Sequence, residues 1–87
     1  MVSRKVTVHN PSGLHLRPAG LLCKEAVKYK SKIHLVFQDT EANAKSVLSV
    51  LGACIKCGDE MEIVCDGEDE AEALESLCRA VESGLGE

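Results

Sequence analysis

The sequence predicts an α+β domain: one four-stranded antiparallel sheet with three helices packed on one of its faces. Three observations lead there. Three short segments alternate apolar and polar residues with a period of two, as half-buried strands do, and residues 40–43 leave room for a short further one. Two longer segments repeat apolar residues three and four apart, and a shorter apolar run follows a serine suited to capping a helix. The two kinds of segment interleave in the order βαββαβα, so strands and helices each have a layer in which to bury an apolar side.

Val6 and Val8 alternate with Lys5, Thr7 and His9, which gives a first strand over residues 3–9. Asn10-Pro11-Ser12-Gly13 is a cluster of turn formers. Behind it, Ala19, Leu22, Cys23, Ala26 and Val27 recur at helical spacing, so a helix starts near Leu16 and runs to about Lys28. Pro18 would break a helix interior but falls in the first turn, where backbone N–H groups lack intrahelical acceptors anyway. Ile33, Leu35 and Phe37 alternate with His34, Val36 and Gln38 as a second strand, and residues 40–43 form a short third one. Ser46 caps a short helix bearing Val47, Leu48, Val50 and Leu51. Met61, Ile63 and Cys65 alternate with Glu62, Val64 and Asp66 in the fourth strand. Leu74, Leu77, Cys78, Val81 and Leu85 make the stripe of a last helix whose first turn is rich in Glu and Asp, as the helix dipole favours.

Composition sets the outer limits. A chain of 87 residues has room for one modest core, and with Tyr29 and Phe37 as the sole aromatics that core is aliphatic. No apolar run follows Arg4 and Lys5, and none approaches the ~20 residues of a membrane span, so a cytoplasmic protein with no membrane insertion is expected. Residues 1–58 hold nine Lys or Arg against three acids and residues 59–87 one Arg against eleven acids, giving +6 and −10. The net charge of −4 disfavours nucleic acid as a partner. The positive part contains His15, Arg17, Lys24 and Lys45, which points to a basic face that steers toward acidic proteins.

Five cysteines without a secretory leader read as reduced thiols rather than a disulfide framework. Cys23 and Cys78 continue helical stripes and Cys65 a strand alternation, so these three are small buried hydrophobes. Cys54 and Cys57 form a Cys-Ile-Lys-Cys pair, a weak signal for a thiol or metal module, because no second ligand pair accompanies it. His9 and His34 fall on strands without ligand spacing, so no metal site is expected.

The sharpest feature is His15, at the point where the turn becomes a helix. The first N–H groups of a helix point outward unpaired, and the dipole adds about half a positive charge there, a setting that receives a dianionic phosphoryl group. The same positive end disfavours a protonated imidazole, the form that lacks a nucleophilic lone pair. Arg17 supplies a guanidinium fork for phosphate oxygens, and Gly13 lets the backbone approach closely.

Gly13-Leu14-His15-Leu16-Arg17-Pro18-Ala19 resembles the active-site signature of HPr, the histidine-containing phosphocarrier family of the bacterial sugar phosphotransferase system. Lys45-Ser46-Val47-Leu48 is similar to that family's serine segment, Gly58-Asp59 to its turn, and Gly67-Glu68-Asp69-Glu70 to the start of its last helix, so the resemblance spans nearly all of the chain. It implies an open-faced β-sandwich in a single domain over residues 1–87, and a carrier rather than an enzyme. It further implies that His15 accepts a phosphoryl group from enzyme I and gives it to enzyme IIA domains, with Arg17, the N–H groups from Leu16 onward and Ser12 on the phosphate oxygens, and with no metal or other cofactor. The docking surface it implies includes Gly20, Lys24, Lys45, Val47, Leu48 and Leu51. Ser46 resembles the serine modified by HPr kinase/phosphorylase, which would add a transcriptional regulator to the partners of a monomeric carrier. A nitrogen-related or catabolite-regulatory paralogue is the alternative within the family. Three departures stand out: Leu16 replaces the usual small residue, Gly20 offers no side chain, and Ala53-Cys54 stands where Leu-Gly is common.

Overall fold

The strand that holds the sheet together comes late in the chain. In the computed structural model, which describes residues 1–86, β4 (Glu60–Asp66) lies between β1 (Val2–Thr7) and β2 (Lys32–Phe37), and β3 (Thr40–Asn43) forms the far edge. All pairings are antiparallel, and Val6 opposite Met61 and Leu35 opposite Ile63 fix the register. Register decides which face is buried. Val6, Ile33, Leu35, Met61, Ile63 and Cys65 are almost fully excluded from water on one side, whereas Lys5 faces Glu62 and His34 faces Val64 on the other.

The buried face is covered by α1 (Leu16–Ala26), α2 (Val47–Gly52) and α3 (Glu70–Glu82). Leu22 of α1, Val50 of α2 and Leu77 and Val81 of α3 are each 0% exposed, and with the strand residues they form one aliphatic core. Arg4, on the edge strand, lies opposite Ile63 and extends its guanidinium to Glu75 of α3 at 3.3 Å, so its stem covers the sheet edge while its charge stays wet.

The chain order βαββαβα and all seven elements agree with the sequence reading, and three boundaries move. The first strand ends at Thr7, because Val8 exchanges hydrogen bonds with the 58–59 turn: Val8 N–H to Asp59 O at 2.9 Å and Gly58 N–H to Val8 O at 2.8 Å. The first helix ends at Ala26, where the bonds Lys28 N–H to Glu25 O and Tyr29 N–H to Ala26 O tighten the last turn into 3₁₀ geometry. Leu85 is not part of the last helix. It follows the Ser83 C-cap and a left-handed Gly84, and its N–H reaches Ala80 O at 3.3 Å while that of Gly84 reaches Val81 O at 3.1 Å. This is a Schellman motif, which folds Leu85 back into the core at 4% exposure.

Asp69 precedes α3 without capping it. Its carboxylate instead accepts the N–H groups of Lys30 (2.8 Å) and Ser31 (2.9 Å) and the Ser31 hydroxyl, which pins the α1–β2 connection to the start of α3. The Ser31 hydroxyl, followed by the Lys30 N–H, holds the Asp69 carboxyl below its ordinary range. Gly67 is required at this junction, since a Cβ on it would stand 2.7 Å from Ser31 Cα.

Candidate functional site

The loop that presents His15 is shaped by two short-range constraints and one long-range one. Asn10, 1% exposed, accepts the Gly13 N–H on its backbone oxygen at 3.0 Å and donates its side-chain amide to Gly13 O, which closes the turn. Gly13 takes φ +65, and a Cβ there would lie 2.8 Å from both Ile55 O and Lys56 Cα. Only glycine fits that approach. The Leu14 N–H then bonds Ile55 O at 2.9 Å, and the Leu14 side chain is buried, so the loop is anchored immediately before the histidine.

His15 is the N-cap of α1, with extended backbone (φ −74, ψ −175), an exposed imidazole and no side-chain cap hydrogen bond. Its carbonyl accepts the first helical bond, from Ala19 N–H at 2.8 Å. The N–H groups of Leu16 and Arg17 precede that bond, and Pro18, buried, has none to satisfy. No acidic residue occupies the first turn of α1, so nothing in that turn offsets the positive end of the dipole. Arg17 is exposed there with its fork in solvent, and Leu16 is 67% exposed beside it. Ser12 is exposed on the turn before the histidine.

Beside His15, a cleft of about 530 Å³ is lined by Pro11, Ser12 and Leu14 from the loop and by Leu51 and residues 54–57. Lys56 adds a cation to its wall, and Cys54 and Cys57 line it as well. No sequence spacing indicated these neighbours, because they lie some forty residues from His15. The bonds between Val8 and the 58–59 turn are what bring them there. Cys54 itself adopts the left-handed conformation, φ +56, that ends the α2 region. Among the described residues no cluster of three or more His, Cys, Asp or Glu forms that could hold a metal.

The apolar surface expected beside Ser46 is present. Leu48 is 82% exposed, Val47 and Leu51 are half-buried and Val50 points inward. Leu21 of α1, which the helical pattern did not single out, is 38% exposed, and a side chain at Gly20 would meet open space. Lys24 is exposed in the last turn of α1. Lys45 behaves differently from the other expected contact residues: its Nζ donates to Tyr29 O at 2.6 Å, so its charge is committed to the end of the α1 region. The Ser46 hydroxyl accepts the Ser49 N–H at 3.3 Å as the N-cap of α2. His34 sits 3.6 Å from Glu41, apart from the His15 site. Cys23, Cys65 and Cys78 are buried, and burial pushes their thiols up, that of Cys65 to about 11.

Residues 2–83 match the family model described as the PTS HPr component phosphorylation site. The chain belongs to the HPr family. HPr proteins are phosphocarriers of the phosphotransferase system: they take up and hand on a phosphoryl group and are not catalysts. The phosphocarrier protein HPr of Treponema pallidum (strain Nichols) is 39% identical over 87 residues, covering 100% of this chain and 99% of the relative. The crystal structure of HPr-C-His from Thermoanaerobacter tengcongensis superimposes with a TM-score of 0.96 at 32% identity, over 100% of this chain and 98% of that one. The four-stranded open sheet with three helices is thus the HPr fold. Crh, the catabolite repression protein of Bacillus subtilis, described as a swapped dimer, is 37% identical with a TM-score of 0.78 over 97% of each chain. No helix among the described residues is long and apolar enough to cross a membrane.

Proposed function

We propose that this protein is a general phosphoryl carrier of the sugar phosphotransferase system, a cytoplasmic monomer of one domain that accepts a phosphoryl group on His15 from phosphorylated enzyme I and passes it to enzyme IIA domains. The observation that carries the reading is the imidazole at the helix start. It is exposed, spends no hydrogen bond on capping, and stands before free N–H groups and an exposed arginine. In transfer, a lone pair on an imidazole nitrogen, Nδ1 in the family, attacks phosphorus as the N–P bond of the donor's phosphohistidine breaks, and the same steps run in reverse toward the acceptor. Positive groups hold the equatorial oxygens while charge spreads over them: the Arg17 guanidinium, the N–H groups of Leu16 and Arg17, and the helix dipole. Ser12 adds a hydroxyl on the loop side. The step asks for no metal or cofactor on this chain.

Gly20, Leu48, Val47 and Leu51 make the partner surface, with Lys24 at its edge, and the exposure of Leu48 and Lys24 and the open space at Gly20 support that role. Lys45 serves it by holding the segment before α2 in place rather than by meeting a partner's acid. Ser46 is a regulatory site for HPr kinase/phosphorylase in this reading, and a phosphate there repels acidic partners at the rim of the surface. Likeness to Crh favours a second role for the Ser46-modified form, as partner of a transcriptional regulator in catabolite repression.

Rapid-quench transfer from phosphoenolpyruvate and enzyme I tests the mechanism. Arg17→Ala is expected to slow phosphoryl uptake at least about tenfold, as loss of a charge-assisted contact to phosphate does, with unchanged thermal stability because the side chain is exposed. A wild-type rate in this variant would remove Arg17 from the mechanism.

A further inference from the structure

Two of the five cysteines stand apart from the rest. Cys23, Cys65 and Cys78 are packed in the core, where raised pKa values suppress the reactive thiolate. Cys54 and Cys57 are exposed and line the cleft that also holds His15. The Cys57 thiol makes only a weak contact, to His9 O at 3.5 Å. The two residues between them are in direct contact with the loop that presents the histidine. Ile55 O accepts the Leu14 N–H at 2.9 Å, and the space between Gly13 and residues 55–57 is too small for a Cβ, which would stand 2.8 Å from Ile55 O and 3.1 Å from Cys57 N. Any change in the path of residues 54–57 is therefore felt first at residues 13–15.

We propose that Cys54 and Cys57 are a thiol pair whose oxidation by a low-molecular-weight disulfide closes a Cys54–Cys57 bond and switches off phosphoryl uptake at His15. The proposal rests on His15 being the phosphate acceptor. In the first step the Cys54 thiolate attacks one sulfur of the small disulfide, whose S–S bond breaks and releases one small thiol. The Cys57 thiolate then attacks the Cys54 sulfur of the mixed disulfide and releases the second. Two electrons pass from the cysteines to the small disulfide, and the two thiol protons end on the two small thiols that leave. A disulfide holds its Cα atoms within about 7 Å of each other, so closure sets the path of Ile55 and Lys56 between the two sulfurs. In the proposed switch that path shifts the Ile55 carbonyl, which accepts the Leu14 N–H at 2.9 Å, and loosens the anchor of His15. Misplacement on the scale of an ångström is enough to slow a positioned transfer strongly.

The experiment treats reduced protein with excess glutathione disulfide, removes the oxidant, and maps thiols by peptide mass spectrometry without reduction. Phosphate uptake from phosphoenolpyruvate and enzyme I is then timed before and after dithiothreitol. A Cys54–Cys57 disulfide and uptake slowed about tenfold or more, restored by dithiothreitol, are expected. The double variant Cys54→Ser/Cys57→Ser is expected to show the same rate with and without oxidant, and Cys57→Ser is expected to stop at a glutathione mixed disulfide on Cys54. Cys54→Gly, which suits φ +56, replaces Cys54→Ser if that variant folds poorly. Disulfide-bonded protein that takes phosphate at the reduced rate overturns the proposal, as do thiols at 54 and 57 that stay free under excess oxidant. Reduced wild type that takes no phosphate overturns the carrier reading, and with it the output assigned to the switch, whereas the mapping still reports on the pair by itself.

Discussion

The position of His15 is set by what its neighbours do with their backbones. Asn10 closes the turn, Gly13 accepts a conformation and a contact that no side chain would allow, and Leu14 fixes the loop to Ile55. The placement of His15 and Arg17 at a helix start, behind a turn that holds Gly13, was legible in the sequence, because a cluster of turn formers followed by a helical stripe marks such a junction. The partner of Gly13 was not, because a contact between residues 13 and 55 leaves no local spacing to read. Ser46 offers a test at this scale. Ser46→Ala loses the hydroxyl that accepts the Ser49 N–H, so urea denaturation should show a loss of about 1 kcal/mol with phosphoryl uptake close to wild type. Ser46→Asp should slow uptake, as a negative charge facing acidic partners does. Equal uptake by the two variants would remove charge at Ser46 from the control of docking.

Elements followed their patterns, and their ends did not. Periodicity reports a buried face along a segment, but a helix stops where its carbonyls find other donors, as Leu85 and Gly84 show by turning the end of α3 into a Schellman motif. The sequence stripe counted Leu85 as helical because it is apolar and correctly spaced, and its burial is real although its conformation is left-handed. The joint between α1, β2 and α3 turns on the Asp69 carboxylate, which three donors from residues 30 and 31 hold in its ionised form. A carboxyl lowered in the folded state adds stability above its unfolded value, 3.8, and loses it as the pH falls through the lower folded value. Asp69→Asn should therefore be less stable than wild type at neutral pH, and the gap between the two should narrow as the pH falls below that of an ordinary aspartate. Thermal melts from pH 7 to pH 2 check this, and a gap independent of pH would exclude the ionised carboxylate as its source.

At the scale of the whole molecule, charge is segregated along the chain, +6 over residues 1–58 and −10 over residues 59–87, and the histidine belongs to the basic part. That division was readable from composition, and so was the aliphatic core, because with two aromatics no other core is available. Strand order was not readable from periodicity. It depends on β4 entering between β1 and β2, a pairing across more than fifty residues for β1. The segregation predicts electrostatic steering toward acidic partners. Raising salt from about 0.05 M to 0.5 M should lower the bimolecular rate of phosphoryl uptake about tenfold, and Lys24→Glu should lower the rate at low salt without changing stability. A rate insensitive to both would show that the basic face plays no part in encounter.

The central claim is that one phosphate resides on one histidine, and mapping the phosphate tests it most directly. Protein incubated with phosphoenolpyruvate and enzyme I should carry a single acid-labile phosphate on His15, seen by intact mass and by fragmentation of the peptide containing residues 13–19, and His15→Ala should carry none. Labelling of His15→Ala at the wild-type level would contradict the account.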